Sequence, residues 1–210
     1  MQNVAKQTAT TAVDPERRQD PAARKQSLIL AATKLFAGHG YEATTTREIA
    51  ARAGCSEGLI HRYFKGKEGL LLAVMSSHIS RRVVELTEHL AFSASLEEEI
   101  RQLVSWEVDR MWEDRDFLRL TGQRAMLDPK VARFARLEGP TRLAKTIAER
   151  LQHYKDQRVL DDDDIEVTSN AISALCFVFG FMRPAVLGYH RKEAKRMAVN
   201  VAKIIARGLQ

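Results

Sequence analysis

From Asp20 onward the apolar residues of this chain recur at intervals of three and four, and no stretch alternates apolar with polar over a strand's length. A period of 3.6 without a period of 2 points to an all-α fold, about nine helices in all. Asp20-Pro21 reads as an N-cap followed by proline at the first helical position. Leu28, Ala31, Ala32, Leu35 and Phe36 then form one apolar stripe, which Gly38 and Gly40 stop. Thr45-x-x-Glu48 is a capping box opening a short second helix, with Ile49, Ala50 and Ala53 facing inward. Gly54 ends that helix, and Ser56 is placed to cap a third, whose Ile60 and Phe64 point into the core.

Beyond Gly66 the helices lengthen. The spacing predicts a fourth from Lys67 to about Leu90 and a fifth opened by the capping box Ser95-x-x-Glu98. Helical spacing continues over 116–128 and 129–154, with Gly139-Pro140 as a break or kink. Asp161–Asp164 suits a helix N-terminus, where the dipole favours negative charge. A very apolar helix follows, then a last one from Lys192 to Leu209. Pro184 lies inside the apolar helix with Gly180 four residues before it, so a kink is expected there.

Composition narrows the function. The chain is 45% hydrophobic, enough for a substantial core, and 29% charged with a net charge of +6. Residues 1–67 hold 11 Lys+Arg against 6 Asp+Glu, so nearly all of the excess sits in the first third, the footprint of a polyanion partner. Cys55 and Cys176 make no C-x-x-C pair, which argues against a disulfide scaffold and a thiolate metal site; no cofactor is expected. The apolar run Ala171–Met182 is shorter than the ~20 residues of a bilayer span, and the first twenty residues lack the apolar core of a signal peptide, so a cytoplasmic protein without a membrane partner is expected. G-x-S-x-G, H-E-x-x-H and the phosphate-binding loop are absent and the histidines are scattered, which speaks against an enzyme.

Two short helices joined by Ala53-Gly54-Cys55-Ser56 make a helix-turn-helix, whose second helix is shaped to enter the DNA major groove. The stretch Leu35-Phe36, Gly40-Tyr41, Ala43-Thr44-Thr45, Ile49-Ala50, Ala53-Gly54, Ser56, Gly58, Tyr63-Phe64 and Lys67-Glu68 resembles the DNA-binding region of TetR-family transcriptional regulators, over about residues 24–72. The resemblance implies a homodimeric, ligand-responsive repressor on a palindromic double-stranded DNA operator; the patterning divides the chain into a disordered basic arm (1–19), a DNA-binding domain (20–66) and an effector-binding and dimerisation domain (67–210). His61 stands where that family commonly has tyrosine, and Cys55 where it commonly has valine.

Within the third helix Ser56, Glu57, Leu59, His61, Arg62 and Tyr63 remain available to DNA once Ile60 and Phe64 are buried. Arg62 suits a bidentate guanine contact, Leu59 a thymine methyl and Glu57 a cytosine amino group. His61 suits a phosphate. Thr45, Thr46, Arg47 and Lys67 are placed to hold phosphates, although the Thr45 hydroxyl can be fully used as the cap and Arg47 and Lys67 can be plain surface charges. Cys55 reads as a small apolar replacement or, if acidified and exposed, a redox sensor. The arm with Lys6, Arg17 and Arg18, continued by Arg24 and Lys25, is either a solubilising tail or a DNA contact.

In the second half, Trp106, Met111, Trp112, Phe117, Met126, Phe134, Phe177 and Phe181 are candidates to line an apolar effector pocket, with Glu107, Arg124, His153, Tyr154 and Asn170 as polar handles. Ala194, Ala198, Ala202 and Ala206 form a small-residue stripe flanked by Met197, Val201, Ile204 and Ile205, read as a close-packed dimer face that pairs the last two helices with those of a second copy in a four-helix bundle. Two other functional readings stand: an activator, or a DNA-binding protein that signals to a protein partner without sensing a ligand.

Overall fold

The computed structural model describes residues 20–155 and 161–209; the arm assigned to 1–19 lies outside them. The described residues form α1 (Pro21–His39), α2 (Thr46–Arg52), α3 (Gly58–Phe64), α4 (Lys67–His89), α5 (Leu96–Glu113), α6 (Arg115–Leu127), α7 (Pro129–Glu138), α8 (Pro140–Gln152), α9 (Asp162–Phe177) and α10 (Arg191–Gly208), with no strand among them. The fold is all-α, as the periodicity requires. One helix more than expected arises at Gly139, where the chain breaks rather than kinks. A side chain there would put its Cβ 2.7 Å from the Ala135 carbonyl oxygen, and Pro140 starts α8 without needing an N–H partner.

The capping signals work unevenly. Asp20 accepts from the Ala22 N–H, and both halves of the Thr45–Glu48 box form. At Ser95 only half forms: its hydroxyl accepts from the Glu98 N–H at 3.3 Å, but the Glu98 carboxylate turns to Arg101 and Gln102. Those side chains hold the carboxyl of Glu98 down to about 2.

Two large cores, with a small third cluster of Met111, Phe181 and Ala185, hold the described residues. The first packs Leu28, Phe36, Ile49 and Ile60 against Leu70 and Leu71 of α4 and takes in Val131 of α7, so it reaches past Gly66. The second is built by α5, α8, α9 and α10 around Ile100, Leu103, Ile147 and Ile172.

The alanine stripe belongs to this second core. Ala194, Ala198, Ala202 and Ala206 are 0–2% exposed within the single chain, because α10 lies closely on α5 and on the end of α9. Small side chains do permit close helix approach, as argued, but the partner helix is in the same subunit. Arg191 and Lys195 reinforce that contact by pairing with Asp109 of α5 at 2.9 and 2.5 Å. The stripe is therefore not a dimer face. Val201 and Ile205 are half-buried, and Met197 and Ile204 turn outward at 44% and 67% exposure.

Pro184 produces no simple kink. α9 continues over Val178–Val186 as a π-helix, in which the Leu187 N–H reaches back five residues to the Met182 carbonyl. Gly180 serves packing rather than the proline ring: a Cβ there would lie 2.7 Å from Met111 Cβ and 3.0 Å from Val108 Cα. The combined helix Asp162–Val186 is 25 residues long and apolar enough to cross a membrane by length and composition, longer than the apolar run alone suggests. Much of it is buried, because α5, α8 and α10 pack around it.

Candidate nucleic-acid interface and effector cavity

The turn between α2 and α3 is closed by backbone. Gly54 sits at φ +66, where a side chain would be strained, and the Cys55 N–H reaches the Ala50 carbonyl at 3.0 Å. Ile49, Ala50 and Ile60 fix the angle between the two helices from beneath. Ser56 does not cap α3. The first turn is closed instead by Leu59 and Ile60 N–H groups on the carbonyls of Ser56 and Glu57. The Glu57 carboxylate accepts from the Thr46 hydroxyl at 2.5 Å, tying the start of α3 to the start of α2.

Arg47, Ser56, Glu57, His61 and Arg62 are exposed, and Thr46, Leu59 and Tyr63 are half-buried. Tyr63 meets Phe64 edge-on, and Lys25 of α1 stands 5.4 Å over its ring. The Thr45 hydroxyl is committed: it accepts from the Glu48 N–H and donates to the Glu48 carboxylate at 2.8 Å, leaving no proton for a phosphate. Cys55 is half-buried, and burial raises its thiol pKa, which disfavours the thiolate a redox sensor needs.

Lys67 points at the loop between α1 and α2. Its ammonium donates to the Glu42 carbonyl at 3.3 Å and lies 4.3 Å over the Tyr41 ring; desolvation lowers its pKa. Arg124 of α6 comes to the same loop, pairing with the Glu42 carboxylate at 3.0 Å and standing 4.9 Å from the Tyr41 ring. The sequence offers no signal for this junction, since 82 residues separate Arg124 from Glu42 and no local spacing connects them.

A cavity of about 710 Å³ lies among α4, α5, α6, the α7–α8 junction and the π-helical end of α9. Met111, Phe117, Met126, Phe177 and Phe181 line it, whereas Trp106, Trp112 and Phe134 do not. Trp106 packs beside the second core with Arg82 and Arg110 near its ring, Trp112 receives Arg115 and Arg191, and Phe134 packs on the first core. Helical spacing marks a face as buried but not whether a void or a neighbour covers it.

The polar wall joins Glu107, one of the expected handles, to Arg82 and His78, which the sequence did not single out. Arg82 of α4 reaches Glu107 of α5 and Asp114, each at 2.5 Å, and its Nε is buried without a partner. His78 pairs with Asp114 at 3.1 Å and stacks on Phe117 at 3.9 Å. Burial raises the pKa of Glu107 against the opposing pull of Arg82. Burial also pushes Asp114 up, but hydrogen bonds and charge from His78 and Arg82 outweigh it and hold this carboxyl below the usual range. Of the expected handles only Glu107 lines the cavity. Arg124 serves the Glu42 junction, His153 stacks on Phe92, and Asn170 donates to its own helix. Tyr154 donates to the Ser93 carbonyl at 2.7 Å and lies 3.0 Å from Glu99; burial, with Glu99 adding to it, pushes its phenol up to about 12.

The fold and these two sites define a class: a helix-turn-helix DNA-binding module carried on a helical body with a ligand-sized cavity. Residues 28–74 match the family model for bacterial regulatory proteins of the tetR family, the stretch that holds the end of α1, the helix-turn-helix and the start of α4. Over 60 residues the chain is 50% identical to YvkB of Bacillus subtilis (strain 168), named as an uncharacterized HTH-type transcriptional regulator; the match covers 28% of this chain and 32% of that protein. Over 110 residues it is 30% identical to the HTH-type transcriptional activator FasR of Mycolicibacterium smegmatis, covering 52% of this chain and 50% of FasR. The chain thus spans a third to a half of these relatives. A solved putative TetR-family transcriptional regulator from Mesorhizobium loti shares the fold with a TM-score of 0.72 at 22% identity, over 91% of this chain and 98% of that one.

Proposed function

We propose that this protein is a cytoplasmic transcriptional repressor that binds a palindromic operator as a homodimer and is released by a small-molecule effector in the cavity. The observation that carries the reading is that α4 and α6 both line the cavity and both grip the 41–42 loop of the DNA-binding module, through Lys67 and Arg124. A guest that changes the spacing of these helices changes the pose of α3. Arg62, His61 and Ser56 read the groove from the exposed face of α3, and Arg47 and Thr46 hold the backbone beside it.

Dimerisation falls to the outward faces of the last two helices. Val167 and Val178 on the α9 helix, and Met197 and Ile204 on α10, are large apolar side chains exposed at 40–69%. Burial of these side chains against a second copy would join the two DNA-binding modules, and a palindromic operator requires their α3 helices about one helical turn apart, ~34–36 Å. Selection of bound fragments from the host genome, followed by footprinting, tests the reading. A palindromic footprint next to genes whose transcription rises on deletion of the protein supports it. Fragments without a shared sequence, or transcription that falls on deletion, sink the operator or the repressor half respectively.

A further inference from the structure

Charge is spread unevenly around the cavity. Inside, Glu107 and Arg82 line the wall and neutralise each other at 2.5 Å, with Asp114 on the other side of Arg82. The interior hydroxyls of Thr121, Thr146 and Ser173 donate to the carbonyls of Phe117, Arg142 and Pro140 at 2.9, 3.1 and 3.2 Å. They keep only lone pairs for a guest. An anionic group taken to this depth would meet the Glu107 carboxylate and hydroxyl lone pairs, with Arg82 already shared between Glu107 and Asp114, while losing its water, a costly position.

The rim is the reverse. Arg136 of α7 lines the cavity, is exposed, and has no ion-pair partner among the described residues. Arg119 and Gln123 of α6 also line it and are exposed; Arg119 donates one N–H to the Ala185 carbonyl but keeps its charge, since the carboxylate near it, Asp116, is 3.6 Å away and largely in water. Glu107 is the one acidic residue in the described lining, and Arg82 already holds it.

We propose that the effector is an amphipathic anion, with its apolar body in the cavity and its charged group at the mouth on Arg136, beside Arg119 and Gln123. The proposal rests on the reading of this cavity as the effector site. Two dyes separate the two claims, because they share an arylaminonaphthalene body and differ by one sulfonate: neutral N-phenylnaphthylamine and anionic anilinonaphthalenesulfonate. Titrated by fluorescence against the full chain, the sulfonate binds about fivefold more tightly, an exposed ion pair's worth, and the margin narrows as salt is added. Arg136→Gln removes that margin and leaves the neutral dye unchanged, and Arg136→Lys keeps most of it. Gly122 lines the cavity and a Cβ there meets no atom within 4 Å, so Gly122→Trp adds an indole at the lining without displacing a neighbour and weakens both dyes. Equal affinities, or a sulfonate margin that Arg136→Gln leaves intact, overturn the anionic assignment while the cavity reading stands. Dye binding indifferent to Gly122→Trp overturns the cavity reading and the proposal with it.

Discussion

Arg124→Ala is the perturbation that most directly probes the junction between body and DNA-binding module. The guanidinium pairs with Glu42 at 3.0 Å and lies against the Tyr41 ring at 4.9 Å. Glu42 is 78% exposed, so its ion pair is screened and contributes at the low end of about 0.2–1 kcal/mol. The cation–π contact adds about 0.5–1 kcal/mol. Together they hold the 41–42 loop with about 1 kcal/mol, close to a fivefold change in an equilibrium. Arg124→Ala therefore weakens operator binding about fivefold at low salt, measured by fluorescence anisotropy with a labelled operator. The loss shrinks as salt rises, because part of it is electrostatic. A double-mutant cycle with Glu42→Ala isolates the ion pair, whose coupling is at most about 1 kcal/mol. Unchanged operator affinity in Arg124→Ala, together with a coupling of zero, would refute the claim that α6 positions the module through this loop.

Four further outcomes follow from named contacts. Gly180→Ala forces a Cβ into Met111 and Val108 and should cost about 1–3 kcal/mol in chemical denaturation; an unchanged midpoint would mean that α5 and the π-helix separate freely. Ile204→Asp should give monomers in sedimentation that still melt cooperatively, whereas Ala198→Asp should damage folding itself, since Ala198 is buried within one chain; the opposite pattern restores the alanine stripe as the dimer face. Arg62→Ala should cost about 1–3 kcal/mol on the cognate operator and relax preference at one base pair, and a uniform loss across sequences would make Arg62 a phosphate contact instead. Asp114 has a depressed folded pKa, so its contribution is full above the ordinary carboxylate value of about 3.9 and is lost as pH falls through the lower folded value. The stability gap between the parent and Asp114→Asn should accordingly be constant above about pH 5 and narrow below pH 4; a gap that widens in acid contradicts the assigned pairing with His78 and Arg82.

Helix existence and the helix-turn-helix were legible because they rest on local rules. The Thr45–Glu48 box, Gly54 and the buried Ile49–Ile60 pair all lie within residues 45–60. What was legible only in part depends on which neighbour covers a face: Met111, Phe117, Met126, Phe177 and Phe181 do line the cavity, but other faces are covered differently. Ala198 has the same spacing whether α5 or a second subunit lies against it. Ser56 has the composition of a cap, but the Glu57–Thr46 hydrogen bond and the backbone closed the turn without it. Trp106 and Trp112 look like pocket residues by size, yet arginines cover their rings. Most of the polar wall was hidden for a related reason: Glu107 was a candidate handle, but its partners Arg82 and Asp114 sit on another helix and a junction, and each alone resembles a surface charge in the sequence.

The same long-range contacts bear on how a guest would act. Tyr41 has a cation from α4 at 4.3 Å and a cation from α6 at 4.9 Å, so a shift of one helix against the other has to be absorbed at this ring. The cavity draws on both helices, His78 and Arg82 from α4 and Phe117 and Thr121 from α6. A guest shifts the balance only by its difference in affinity for the two arrangements, about 1.4 kcal/mol for each tenfold change in operator binding. An apolar body filling space between α4 and α6 gains that difference from the methylene groups it buries in one arrangement and not the other, about 0.8 kcal/mol each. Two or three such groups suffice for a tenfold to fiftyfold release. Shortening the guest by that number should therefore abolish the response before it abolishes binding.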